Sequence, residues 1–339
     1  MTARLPNLFL VGAPRCGTSA LHVYLAAHPD VFMSPFKEPH YFSTDLTEEG
    51  DRHHGRMEHG PFRTPEQYAW LYRDVAGEAV RGESSVMYLY SRTAAERIAA
   101  HDPAAKILIM LREPVEFLRS YHARLLFEGD EDRETLAEAL ALEAERAEGR
   151  SLPATVRVPS LLQYGAVAAF AEQIERYRRC FPAEQIKVIV FDDFRADTEG
   201  VYRDVLRFLG VDHTLPLPTE LEPRNAATRE RSRLLGRALR SLNYSVAIQY
   251  KRRGFPHAPG MYRPWLARVL PAKALWIGYR TLAWWNAKPA VTPPLDDATR
   301  AALRERFRPE VERLGELLGR DLGALWGYRE MASGPEASK

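Results

Sequence analysis

The sequence predicts an α/β fold: a central, mainly parallel β-sheet flanked by helices on both faces. Three observations predict it. Short apolar runs, "NLFLVG", "KILIML" and "IKVIVF", recur along the chain and read as buried strands. Amphipathic helical patterns alternate with them. A glycine-rich turn, Gly12 to Ser19, joins the first run to the first helix.

The elements follow in order. "NLFLVG" is the first strand. "TSALHVYLAAH" is a helix with Leu21 and Leu25 at helical spacing, stopped by "HPD". "AVRGESS" is a weaker strand. "SRTAAERIAAH" is a helix with Ser91 as its N-cap. "KILIML" is a strong strand, and "EPVEFLRSYHARLLF" begins a helix with Pro114 in its first turn. In "SLLQYGAVAAFAEQIERYRRCF", Leu161, Tyr164, Val167, Phe170, Ile174 and Tyr177 predict one helix. "IKVIVF" is the next strand, and "TEGVYRDVLRFLG" is a helix ended by Gly210. Leu303, Phe307, Val311, Leu314 and Leu318 mark the last helix, with Gly319 just past it.

One stretch breaks the alternation. Tyr262 to Trp285 holds four of the six tryptophans among scattered arginines and lysines. It reads as part of a helical insertion, residues 236–294, within a single domain spanning 1–339. Such a stretch packs on the core, borders an acceptor site, or touches a membrane surface or second copy. Residues 332–339 are small and polar and read as a disordered tail.

The net charge of +2 gives no global field for nucleic acid, so any anion site must be local. The two cysteines, Cys16 and Cys180, sit in different contexts. They suggest no disulfide framework and place the chain in a reducing, cytoplasmic compartment. The early apolar run, Leu8 to Val11, is short for the core of a signal peptide. No stretch approaches the roughly 18 apolar residues that span a bilayer.

Gly12 to Ser19 reads G-A-P-R-C-G-T-S. This is P-loop-like, close to G-x-x-x-x-G-K-[ST], with Thr18 in the lysine's place. A glycine turn ahead of a helix offers backbone N–H groups and the positive end of the helix dipole to an anion. Thr18 and Ser19 add hydroxyls, and Arg15 adds a permanent cation. In nucleoside triphosphatases the missing lysine neutralises phosphates, and an acidic residue at a strand end helps to hold Mg²⁺. Here "KILIML" ends in Arg112, which suits a second anion, or a salt bridge to Glu113 or Glu116. Asp192–Asp193 is the alternative seat for a metal. Ser120 falls two turns into the helix after Arg112. Two separated cationic positions fit a ligand with anionic groups at both ends of a nucleoside. His53, His54 and His59 lack regular metal-ligand spacing and read as a solvated loop.

These residues resemble the sulfotransferases that use 3′-phosphoadenosine 5′-phosphosulfate (PAPS). "GAPRCGTSAL" resembles the family's 5′-phosphosulfate loop and "MLREPVEFLRSY" its 3′-phosphate motif. "FKEPHYF" and "GESSVMYL" resemble segments of the glycan sulfotransferase branch. The likeness runs from Asn7 to Leu235 and again from Leu295 to Tyr328.

The resemblance implies that Arg15, Cys16, Gly17, Thr18 and Ser19 hold the 5′-phosphosulfate, and Arg112 and Ser120 the 3′-phosphate. Arg229 and Arg231, in "RNAATRERSR", would belong to a late basic loop folding over the 3′-phosphate. Glu38 would be the general base, with His40 beside it and Glu83 as a second candidate; Arg15 would stabilise the leaving group. Two positions depart from the family: Arg15 stands for its loop lysine, and Ser84 for the lysine after its second glutamate. The resemblance implies PAPS as co-substrate, no metal, and a small-molecule, glycan or lipid acceptor, sulfated on a hydroxyl or an amine. Acceptor contacts would come from Thr44–Tyr68, Glu128–Val158 and the tryptophan-rich stretch. Two other readings stand beside it: a P-loop-like kinase or nucleoside triphosphatase, and a non-catalytic PAPS-binding protein.

Overall fold

The computed structural model describes residues 5–55, 62–217, 228–232, 235, 236, 239, 272–289 and 294–328. Five strands form one parallel sheet in the order β2-β3-β1-β4-β5. They are β1 (Leu8–Gly12), β2 (Val31–Met33), β3 (Val80–Ser84), β4 (Lys106–Leu111) and β5 (Ile186–Val190). Every residue of β1 is buried, and so is β4 beyond Lys106. That explains their unbroken apolar runs, because a parallel strand is covered on both faces. β1 sets Leu8 opposite Gly82 of β3 and opposite Lys106 of β4.

The order of the strands creates the site. From β1 the chain passes through helix α1 (Thr18–Ala26) to β2 at one edge. From β4 it passes towards β5 at the other edge. Right-handed crossovers put helices of these opposite connections on opposite faces. The neighbours β1 and β4 therefore send their chains apart, and a crevice opens beyond their carboxyl ends. The glycine-rich loop and Arg112 both leave from there.

Several local expectations change. Thr44–His54 and Pro65–Ala69 form helices α2 and α3, where the sequence suggested acceptor loops. α3 carries a full capping box between Thr64 and Gln67. Helix α4 (Ala94–His101) has Thr93 at its N-cap position. Ser91 acts two residues earlier, its Oγ accepting from the N–H groups of Thr93 and Ala94. Helix α5 (Pro114–Glu128) starts with Pro114 as expected, and the Glu113 carboxylate caps it by accepting from Val115 and Glu116. The helix expected through Leu161–Tyr177 is broken: a 3₁₀ turn at Pro159–Leu162, one turn at Tyr164–Val167, then Phe170–Arg178. Pro159 opens the first piece and Gly165 lies in the second, and both weaken a continuous helix.

The helix Asp297–Leu318 buries Leu303, Phe307, Val311 and Leu314 and ends on Gly319. Beyond it, the Tyr328 hydroxyl donates to Glu113 at the start of α5. Strands Thr228–Glu230 and Ala287–Pro289 pair antiparallel, so the intervening stretch leaves and returns at one place beside α5. The helix Ala272–Asn286 within it exposes Trp284 at 79% and Trp285 at 53%, which is not core packing. Residues 240–271 and the expected disordered tail lie outside the described residues. Among the described residues, no helix is long and apolar enough to cross a membrane.

Candidate active site

Two glycines shape the loop after β1. A Cβ on Gly12 would lie 2.6 Å from the Leu89 Cβ and 2.9 Å from the Val86 carbonyl oxygen. The strand end therefore packs directly against the turn that follows β3. Gly17 has φ 88° and occupies the N-cap of α1, where no side chain accepts from the first turn. The N–H groups of Ala20 and Leu21 return to the Gly17 carbonyl. The helix start, with Thr18 and Ser19, borders a cavity of about 620 Å³. An anion there would meet the orphan N–H groups of the first turn.

Arg15, Thr18, Ser19, Glu38, His40, Arg112 and Ser120 all line this one cavity. The two cationic positions are closer than the sequence suggests, because Arg15 Nε donates to Ser120 Oγ at 3.0 Å. Burial lowers the Arg15 pKa, and so do the nearby guanidiniums of Arg124 and Arg112, with Glu128 opposing them. Arg112 reaches Glu116 at 3.5 Å, and its guanidinium lies 5.2 Å from the Phe191 ring centroid. Three arginines thus converge, and of them Arg15 has no carboxylate partner among the described ion pairs, while Arg112 and Arg124 reach Glu116 and Glu128. That arrangement suits a polyanionic ligand.

The segment after β2 brings the second half of the site. Glu38 has φ 61° and His40 φ 57°; with Arg15 at 65° they are three of the four non-glycine residues at positive φ among the described residues. Such backbone is strained for side chains of this size. Hydrogen bonds hold it. Glu38 N–H donates to the Ser84 carbonyl at 2.8 Å, and His40 N–H donates to Ser85 Oγ at 3.3 Å. The Glu38 side chain is 40% exposed, with His40 Nε2 3.8 Å from Oε2 and Lys37 Nζ 3.4 Å from Oε1. Burial pushes the His40 pKa down, against the pull of Glu38.

Lys37 joins the candidate site although the sequence reading did not single it out. Its Nζ donates to Ser19 Oγ at 2.7 Å and it lines the cavity. The loop thus acquires an ammonium group from elsewhere in the chain. Behind it, His22 Nδ1 lies 2.8 Å from Ser84 Oγ. Burial, reinforced by Lys37, pushes the His22 pKa down to about 4.

Other expected residues lie elsewhere. Glu83 is fully buried behind the site, accepting from Tyr68 OH at 2.8 Å, and is not on the cavity wall. Burial pushes its pKa up to about 7. The Cys16 thiol is buried, its pKa raised to about 12, and it donates to the Pro14 carbonyl. Only its backbone could serve a ligand. Arg231 is not on the wall; its guanidinium lies 6.0 Å over the Trp285 ring. Arg229 pairs with Lys288 in the hairpin, and its side chain lies outside the described residues. Asp193 is held by Arg320, and Asp192 accepts from Trp326 Nε1 at 3.1 Å, so neither carboxylate is poised for a metal. His54 contacts the Val156 carbonyl at 3.0 Å, while His59 lies outside the described residues. Among the described residues, no group of three or more metal-ligating side chains converges.

Residues 6–215 match the model of the sulfotransferase family. Carbohydrate sulfotransferase 15 of Rattus norvegicus is 26% identical over 249 residues, covering 61% of this chain and 44% of that protein. Heparan sulfate glucosamine 3-O-sulfotransferase 3B1 of Mus musculus is 26% identical over 212 residues, covering 61% of this chain and 47% of that protein. The chain thus spans less than half the length of these relatives. A solved sulfotransferase from Alicyclobacillus acidocaldarius is 29% identical with a TM-score of 0.63, covering 94% of this chain and 98% of that one.

Proposed function

The chain belongs to the sulfotransferase family, and from that premise we propose that it transfers the sulfuryl group of PAPS to a hydroxyl, or less readily an amine, of a small-molecule, glycan or lipid acceptor. One observation carries the reading: the phosphate loop, Arg112, Ser120 and Glu38 line a single cavity at the point where the strand order reverses. The donor set fits the nucleotide. It comprises first-turn N–H groups, hydroxyls and several cations, and all of them favour phosphate oxygens. PAPS supplies an activated sulfuryl group whose leaving phosphate needs charge stabilisation and no proton.

The chain's own residues would do the rest. Thr18, Ser19 and Lys37 hold the end where the sulfuryl group sits, while Arg112 and Ser120 take the far phosphate. Arg15 stabilises the leaving charge; as a permanent cation it does so without donating its proton. Glu38 removes the acceptor's proton, and His40 orients it. A transferred SO₃ carries less negative charge than a phosphoryl group, so aimed donors suffice without a metal clamp. A cytoplasmic setting belongs to this reading, supported by the free Cys16 and Cys180. The exposed Trp284 and Trp285 support contact with a membrane surface.

Melting curves with adenosine 3′,5′-bisphosphate and with ATP–Mg²⁺, for the wild type and Arg112→Ala, test the reading. Ligand at 100 times its Kd adds about 2.7 kcal/mol of apparent stability. A shift with the bisphosphate alone, lost in Arg112→Ala, is expected. A shift with ATP–Mg²⁺ alone would hand the site to the kinase reading. Bisphosphate binding without sulfate transfer to any acceptor would leave a binding protein.

A further inference from the structure

The phosphate-binding residues say nothing about the acceptor, but the other wall of the cavity does. α5 carries Ser120, Arg124 and Glu128 at four-residue intervals, all on that wall. One helix face therefore runs about 12 Å along the cavity, from the phosphate end outward. At its far end Glu128 is gripped by Arg124 and by Arg157, whose terminal nitrogen lies 2.6 Å from Oε2. Arg157 also holds Asp130, with Nε 3.1 Å from each carboxylate oxygen and its backbone N–H 2.9 Å from Oδ1. His40 lies within electrostatic reach of both Arg157 and Glu128, so this cluster stands at the end where the proposed base sits.

Two guanidiniums and two carboxylates cancel. The remaining cation on this side, Lys37, faces Glu38 and Ser19. Between these groups the wall is apolar: Leu46, Val86, Met87, Leu125 and Leu161. The Tyr121 hydroxyl is turned to the Leu161 carbonyl at 3.0 Å and leaves its ring to the wall. With Arg15 and Arg112 engaged by the nucleotide, an anionic acceptor would lose water here and meet, among the described residues of this side, only cations already paired, while facing Glu128 and Asp130. Such juxtaposition rejects a ligand as effectively as a clash does.

We propose that the acceptor is a compact, uncharged molecule whose apolar body carries the reacting hydroxyl, rather than a polyanionic glycan. The proposal rests on the sulfotransferase reading above. The cavity of about 620 Å³ formed by the described residues has to hold the nucleotide as well, so the acceptor end that enters it is small.

The test uses the whole chain saturated with adenosine 3′,5′-bisphosphate. Calorimetry compares octyl β-glucoside with octyl β-glucuronide, which share chain and ring and differ by one carboxylate. The glucoside should bind at least tenfold more tightly. Equal or tighter binding of the glucuronide, or of a heparan sulfate oligosaccharide, would overturn the proposal. So would binding of neither glycoside while the bisphosphate is bound. Failure of the bisphosphate itself to bind would instead remove the sulfotransferase reading, and this proposal with it. Glu128→Gln should raise glucuronide affinity at least threefold by releasing Arg124 and removing one of the two carboxylates that hold Arg157; a folded variant with an unchanged ratio would overturn the role given to the ion cluster.

Discussion

Lys37 Nζ lies 2.7 Å from Ser19 Oγ, so a residue from the turn after β2 delivers a cation to the loop after β1. The P-loop motif would carry that charge within the loop itself. Removing one preorganised donor from a transferring group typically costs about 10²–10³ in rate. Lys37→Met should therefore lower kcat by about 10²-fold, with a smaller effect on bisphosphate binding. Steady-state kinetics beside calorimetry separates the two; a variant with wild-type kcat would make Lys37 a surface residue.

Glu38→Gln keeps the size and the hydrogen bonds of the loop backbone but cannot take a proton. General-base catalysis is worth about 10²–10⁴-fold, and kcat should fall by that amount. Bisphosphate affinity should not change. His40→Asn should cost less, because it orients and does not react. A larger loss in His40→Asn than in Glu38→Gln would exchange their roles.

Arg15 and Ser120 touch, so their contributions to nucleotide binding are coupled. Hydrogen bonds from charged groups contribute about 1.5–3 kcal/mol, and each 1.4 kcal/mol is about tenfold in Kd. Arg15→Ala should weaken bisphosphate binding by about 10–100-fold, and Ser120→Ala by less. The double variant should lose less than the two single losses combined. Additive losses would mean that the contact in the free protein is irrelevant to binding.

Glu83 ties stability to pH. Burial lifts its pKa from an ordinary 4.5 to about 7. Between those values the folded chain keeps a proton that the unfolded chain has lost. Stability therefore falls as pH rises through this window, by roughly 3 kcal/mol at most. His22 acts in the opposite direction: depressed to about 4 from 6.5, it destabilises the fold as pH falls below 6.5. Glu83→Gln should gain on the wild type between pH 5 and pH 8 in urea titrations. A difference independent of pH would show that Glu83 titrates normally.

Trp284 is 79% exposed, and neither it nor Trp285 lines the cavity. Trp284→Ala should change stability by less than about 0.5 kcal/mol and leave the KM of a soluble acceptor unaltered. A clear loss of melting temperature would reveal a partner surface in the folded chain.

Much of this was legible because the informative residues are close in sequence. β1, the loop and α1 are one continuous segment, and so are β4, Arg112 and Ser120. Glu38 and His40 stood out in a short motif. What escaped depends on approach between distant segments. Lys37 meets Ser19 only because the turn after β2 is pinned to Ser84 and Ser85. β2 is three residues long and lies at the edge of the sheet, too short to show a period. α2 carries charges along most of its length and gave no apolar stripe. The ion cluster of Glu128, Asp130 and Arg157 joins residues up to 29 apart, which no periodicity reports.

The three strained positions, Arg15, Glu38 and His40, bear on the history of the molecule as well as its chemistry. A backbone held at positive φ costs about 1–3 kcal/mol per residue, and glycine or asparagine at Glu38 would relax it at once. The easiest route to a sturdier protein therefore runs through the proposed site itself, and on the reading above it would end in an inert one. Selection for robustness alone would favour other residues here, so side chains kept on so unwilling a backbone are what the proposed reaction would require.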